Sequence, residues 1–329
     1  MTEERLDHFM ARANAAYYAT HDPFVDFATS PEISQVFGEL IGLWAALAWQ
    51  TMGAPRDILL VEAGPGNGTL MNDALRAIGR AVPAFRSALS LHFIEISPRL
   101  ILNLKQKHPE ATFHTDLTTL PKGPMIFLAN EFLDALPIRQ FIRRPDGWME
   151  RHVGDSRFVE RPTDFIMPDE TYGTIYERSP TAEAFVTTLA DRLFQSTGAA
   201  LMIDYGPMQS GPGESLQAIS NRQPVSPTCD PGSTDLTAHV DFERLVNAIG
   251  RTGAKAWGPV AQGHFLTTLG IHERTNQLGR HAPMEQTLNL IAASQRLTAP
   301  EAMGSLFKAI AISHPSIQHL AGFSSWSEC

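Results

Sequence analysis

Residues 61–70 read VEAGPGNGTL, with Gly64, Gly66 and Gly68 at alternate positions. They lie where a β-like run, ILLVEA at 58–63, gives way to a helical pattern that starts near Thr69 and carries Leu70, Ala74, Leu75 and Ile78 on one side. A ligand reaches the backbone of such a turn only where no Cβ intervenes, and the following helix offers unpaired N–H groups to an anion. The alternation continues outward from this junction. LHFIEI (91–96) is a second strand, Pro98 opens a second helix, ATFHT is a short third strand and MIFLAN (125–130) a fourth. Nearly continuous apolar strands separated by helices predict a parallel sheet covered on both faces.

Beyond Ile138 the pattern changes to strand-like segments with a turn at RPDGW (144–148), which predicts hairpins inserted after the fourth strand. A helix over 181–194 leads into a fifth strand, AALMIDYG (199–206). The stretch 206–232 is rich in Gly, Pro, Ser and Gln and reads mostly as loop. Helices are expected near 241–250, 262–269 and 284–296, and FKAIAIS (307–313) as a closing strand. Ahead of the glycine loop, Ser34–Met52 is apolar around most of its circumference and reads as a buried helix. The expected division is an N-terminal helical extension (1–56), an α/β core (57–140 and 197–329) and an inserted subdomain (141–196).

Composition bounds the function. The chain has 329 residues, 43% hydrophobic, and a net charge of −9, which gives no electrostatic basis for holding nucleic acid. The apolar stretch from Leu40 to Pro55 is too short to span a bilayer. Cys229 and Cys329 form neither a disulfide framework nor a metal-binding spacing, and the twelve histidines do not cluster as ligands, so no metal is expected. MTEERLDHFM resembles neither a secretory signal nor a transit peptide, and the expected compartment is the cytoplasm.

Two carboxylates strengthen the reading of the loop as a cofactor site. Glu95 ends the second strand, where an acidic side chain can take both hydroxyls of a ribose, and Asp116 follows the third, within reach of an adenine amino group. Nicotinamide cofactors use the same geometry, usually with the spacing G-x-G-x-x-G. Here the third glycine comes one residue early and Glu62 precedes the loop, which favours S-adenosylmethionine, its methionine carboxylate seated at the helix N-terminus.

The blocks DFATSPEIS (26–34), FGELIG (37–42), VEAGPGNGTL, NEFLDALPIRQF (130–141), IDYG (203–206), GSTDLTAHVDF (232–242), GPVAQGHFL (258–266) and MGSLFK (303–308) resemble the MidA-like methyltransferases in order over nearly the whole chain. The resemblance implies a Rossmann-like class I methyltransferase core of mainly parallel strands, with S-adenosylmethionine as cofactor. It also implies methyl transfer to protein arginine, the mitochondrial members acting on a subunit of respiratory complex I. Val25, Asn67 and the segment QAISNRQPVSP (217–227) depart from the family pattern, which leaves the cofactor side intact and the substrate side less constrained.

Methyl transfer from a sulfonium asks the protein mainly to align and desolvate the nucleophile. For an arginine, carboxylates that grip the guanidinium are the natural device, and Glu131 and Asp134, just past the fourth strand, are the candidates. Asn130 beside them, with Ser30 and Glu32 of TSPEIS, joins the candidate cofactor residues Glu62, Gly64, Gly66, Gly68, Glu95 and Asp116. Ser30 followed by Pro31 equally suits the N-terminus of the buried helix. In DLTAHVDF an extended chain would put Asp235, His239 and Asp241 on one face, with His239 a candidate proton acceptor and Asp241 equally suited to cap the next helix. Alternatives are a small-molecule methyltransferase or a non-catalytic assembly chaperone, and a homodimer is compatible with the sequence.

Overall fold

The computed structural model describes residues 3–21, 29–220 and 223–323. Val25, the start of the DFATSPEIS block, Asn221, Arg222 and Cys329 lie outside the described residues. A two-residue strand β1 (Glu4–Arg5) precedes helix α1 (Leu6–Thr20). The short α2 (Ser30–Ile33) and the long α3 (Gln35–Thr51) follow. Ser34, extended at φ −154°, separates them, and its Oγ accepts the Val36 N–H at 3.2 Å. Ser34 is thus the cap of the buried helix, and Ser30 is a residue of α2 rather than a cap.

The α/β alternation then runs through β2 (Ile58–Ala63), α4 (Thr69–Ala81), α5 (Pro83–Ala88), β3 (Leu89–Ile94), α6 (Pro98–Lys107), β4 (Thr112–His114) and β5 (Met125–Asn130). Glu95 sits just past β3 rather than inside it. Next, β6 (Arg139–Arg144), β7 (Gly147–Gly154), β8 (Arg157–Pro162) and β9 (Ile175–Arg178) join β1 in a separate antiparallel sheet. The N-terminal segment therefore contributes a strand to the insertion. Helix α7 (Pro180–Ser196) returns to the core, burying Ala182, Val186, Leu189, Ala190 and Leu193 against the large sheet.

After β10 (Gly198–Tyr205), the stretch expected as loop holds β11 (Gln217–Ser220) and β12 (Gln223–Val225), which form a small sheet with β13 (Asp235–Thr237). These strands are too short to carry a readable alternation. The chain continues through α8 (Phe242–Ile249), β14 (Lys255–Ala261), α9 (Gln262–Thr268), α10 (Ile271–Gly279), α11 (Met284–Thr298) and β15 (Phe307–Ser313). Neither β14 nor α10 is visible in the sequence pattern: β14 is broken by Gly258-Pro259, and α10 buries only Ile271 and Thr275.

The large sheet has the order β14-β15-β10-β5-β2-β3-β4. Strands β10, β5, β2, β3 and β4 are mutually parallel, and β15 is antiparallel to both its neighbours. From β2 the chain moves outward to β3 and β4, then returns to β5 on the other side of β2. That reversal opens a crevice beyond the carboxyl ends of β2 and β5, the place where sheets of this type bind ligands. Helices α3, α4 and α9 cover one face and α7 and α8 the other, so both faces of the central strands are buried.

Candidate active site

A cavity of about 680 Å³ occupies that crevice, large enough for a cofactor together with a side chain. The glycine loop forms its floor. Gly64, Gly66 and Gly68 adopt φ of 62°, 53° and 76°, the left-handed region open to glycine at little cost. Gly64 and Gly66 line the cavity, and a Cβ on Gly64 would lie 3.0 Å from the Phe132 ring. Gly68 does not line it. Its missing Cβ makes room for Leu104, 2.8 Å from where that atom would be, so the third glycine serves the packing of the loop on α6. Thr69 and Leu70 bring the first turn of α4 to the cavity.

Around the loop, Glu62, Glu95 and Asp116 all line the cavity. Glu62 is 3% exposed and its Oε2 has no hydrogen-bond partner. Burial, with Glu95 nearby, pushes its pKa up to about 8. The Glu95 Oε1 accepts the N–H groups of Ile96 and Ser97, both at 2.8 Å. Asp116 is turned toward its own chain: Oδ1 accepts the N–H of Thr118 at 2.7 Å, capping a short 3₁₀ turn, and Thr115 Oγ1 donates to Oδ2 at 3.2 Å. It lines the cavity with its carboxylate already engaged.

The second cluster lies where β5 ends. Glu131 takes a left-handed φ of 50°, a conformation that costs a non-glycine residue of order 1 kcal/mol and turns the chain sharply out of the strand. Its N–H donates to Ile203 O at 2.9 Å. Its Oε1 accepts the N–H of Ser30 at 2.8 Å and the Asn130 amide at 3.0 Å. Ser30 thus holds Glu131 rather than lining the cavity, whereas Glu32 does line it and accepts the Thr69 hydroxyl at 2.6 Å. Burial, with Asp134 close by, raises the Glu131 pKa to about 7 against the Ser30 N–H. Burial likewise raises Asp134 to about 6, opposed by the Tyr205 hydroxyl, which donates to Oδ2 at 2.7 Å. Asp134 Oδ1 and Asn130 Oδ1 have no partner.

Sequence reasoning assigned no role to Asp204, which holds this turn in place. Its Oδ2 accepts the N–H groups of Phe132, Leu133 and Asp134 at 3.0, 2.8 and 3.2 Å, and its Oδ1 that of Tyr205 at 2.9 Å. Tyr205, Phe132, Tyr18 and Asn14 also line the cavity without having been anticipated. The IDYG block carried the signal for Asp204 and Tyr205. His239 is placed elsewhere: it lines a second cavity, behind Tyr205, and meets that ring edge-on at 5.6 Å. Strand β13 ends at Thr237, so the two-residue alternation that would align His239 with Asp235 stops short of it. Asp241 is the cap of α8, accepting the Arg244 N–H at 3.1 Å.

The described lining residues include Glu32, Glu62, Glu95, Asp116, Glu131, Asp134 and Asp235, and no Lys, Arg or His. An acidic cavity suits a cationic occupant, since positive charge compensates carboxylates that burial penalises. S-adenosylmethionine bears a sulfonium and an ammonium, and the unpartnered Glu62 oxygen and the glycine cradle fit it. The same carboxyls set a pH dependence. Their folded pKa values of about 7 and 8 lie above the ordinary 4.5, so from pH ~4.5 to ~8 the folded protein holds protons that the unfolded chain has released. Stability of the ligand-free protein is therefore fully present below the unfolded pKa and falls as pH rises through this window. Thermal melts should show a decline of a few degrees from about pH 5 to 8, shallower in Glu62→Gln. An identical slope in that variant would remove Glu62 from the account.

Residues 40–260 match the sequence family of S-adenosyl-L-methionine-dependent methyltransferases. The chain is similar to the mitochondrial protein arginine methyltransferase NDUFAF7 homolog of Drosophila melanogaster, 33% identical with 94% of this chain and 80% of that protein covered. The mitochondrial protein arginine methyltransferase NDUFAF7 of Homo sapiens is 32% identical, with 94% and 79% covered. Among solved structures, an uncharacterised protein from Burkholderia thailandensis shares 26% identity and superposes at TM-score 0.84, covering 98% of this chain and 90% of that one. A second protein of the same superfamily from that organism, solved with S-adenosyl-homocysteine, has the same fold at TM-score 0.81 and 24% identity, with 97% and 90% covered.

Proposed function

The chain belongs to the MidA-like family of S-adenosylmethionine-dependent methyltransferases, and we propose that the nucleophile it presents to the cofactor is an arginine side chain of a protein. The observation that carries this reading is the pair Glu131 and Asp134 at the end of β5, in a cavity whose described lining has no basic side chain. The bound cofactor supplies a methyl group on a positively charged sulfur, activated for in-line displacement. Glu131 and Asp134 accept N–H groups from the planar guanidinium and leave one terminal nitrogen free to face the methyl. Tyr205 fixes Asp134, and the Ser30 N–H and Asn130 fix Glu131, so neither carboxylate has to be ordered when substrate arrives. When the nitrogen gains its carbon it releases a proton. Carboxyls raised to about 6 and 7 are suited to receive it near neutral pH.

The names of the relatives support arginine as the residue class. A respiratory complex I subunit as the protein substrate follows from the family resemblance and is part of this proposal. The test is to incubate the protein with methyl-labelled S-adenosylmethionine and extracts of cells lacking it, then to locate the label by mass spectrometry. Label on arginine of a complex I subunit is expected. Label confined to lysine, to carboxylates or to small molecules would overturn the arginine reading.

A further inference from the structure

We propose that Asp235 binds substrate as the third carboxylate of the pocket for the cationic side chain, and that Asn14 and Tyr18 of α1 hold it in position. The identity of the cation rests on the arginine reading above. Asp235 is 6% exposed and lines the same cavity as Glu131 and Asp134, although 101 residues separate Asp134 from it in the chain (235 − 134). Two devices bring the segments together. Ala238 N–H donates to Asp134 O at 3.0 Å, which lays the strand end of β13 beside the 131–134 turn. Buried Asn14 then clamps both: its amide N–H groups donate to Ala135 O at 3.1 Å and Leu236 O at 2.8 Å, and its Oδ1 accepts the Leu236 N–H at 3.0 Å.

One helical turn on, the Tyr18 hydroxyl donates to Asp235 Oδ1 at 2.8 Å. Burial, then Asp235 and Asp134, drives the Tyr18 pKa upward, which places the phenol within the field of both carboxylates. The independent sign of an occupant is Asp134 itself, 7% exposed and with Oδ1 unpartnered beside this group. A tyrosine hydroxyl needs only an acceptor, and an amide would serve it as well as a carboxylate. What a carboxylate offers that an amide does not is negative charge opposite a cation. With one terminal nitrogen left for the methyl, a guanidinium keeps three N–H donors. Glu131 Oε1 and Asp134 Oδ2 are already engaged by Ser30, Asn130 and Tyr205, and Asp235 supplies an acceptor beyond the one oxygen left on each.

Calorimetry on the full chain saturated with S-adenosyl-homocysteine tests this, with Nα-acetyl-arginine amide and its neutral isostere Nα-acetyl-citrulline amide as probes. Wild type should prefer the arginine probe, and Asp235→Asn should lose about tenfold of that preference, with citrulline binding, S-adenosyl-homocysteine affinity and melting temperature unchanged. Tyr18→Phe, which leaves the charge but removes the hydroxyl that orients Oδ1, should lose about threefold. Full retention of the preference in both variants overturns the proposal. A wild type that instead prefers Nα-acetyl-lysine amide over its norleucine counterpart, with the preference lost in Asp235→Asn, keeps Asp235 as a cation ligand and overturns only the arginine reading. No preference for either cation overturns both.

Discussion

Replacing Glu131 by Gln is expected to lower the rate of methyl transfer by about 10²- to 10³-fold while S-adenosylmethionine affinity stays within about threefold. The substitution keeps the shape of a side chain held at Oε1 by the Ser30 N–H and the Asn130 amide. It removes both the charge that grips the substrate and the carboxyl that receives its proton. Glu131 occupies a left-handed conformation at the end of β5, which turns the chain sharply there and sets where its side chain points. Single-turnover rates and calorimetry with the cofactor separate the two effects. A normal rate with unchanged affinity would remove Glu131 from the chemistry, and loss of cofactor binding would reassign it to the cofactor.

Gly66→Val should weaken S-adenosylmethionine binding by at least about 100-fold and leave the chain folded. Gly66 lines the cavity at φ 53°, where a β-branched residue is strained and its side chain would occupy the place of the ligand. Strain from one such residue is of order 1–3 kcal/mol, against a total of about 5–15 kcal/mol for a folded domain, so the melting temperature falls while the fold persists. Gly68→Val is the informative contrast. There the Cβ would meet Leu104 on α6, so that variant should lose melting temperature first and cofactor affinity second. Equal affinity in Gly66→Val and wild type would overturn the placement of the cofactor over this loop.

The fold was legible because its evidence is local. Strands β2 and β5 coincide with ILLVEA and MIFLAN, α4 begins at Thr69 and β15 spans FKAIAIS, each announced by periodicity or by a turn residue at its boundary. Short or half-exposed elements such as β12 and α10 carry no such pattern and went unread. The candidate residues at strand ends line the cavity because the topology of an α/β sheet places its crevice there. The histidine assigned by extrapolating one extended stretch does not. His239 fell on the far side of Tyr205 because β13 stops two residues before it.

By itself, then, the sequence determined the doubly covered parallel sheet, the glycine loop with Glu62 and Glu95 about it, and the acidic turn after β5, all of which follow from spacing along a few dozen residues. Only the tertiary structure decided that Ser30 serves Glu131, that Gly68 serves α6, and that Asn14 and Tyr18 reach across to residues 135, 235 and 236. The bonds from Asn14 to Ala135 and Leu236 join positions 121 and 222 residues apart. Hydrophobic periodicity specifies which face of an element is buried. It does not specify which distant polar group will be met there, because that is settled when the separate layers close on one another and each buried donor and acceptor must find a partner.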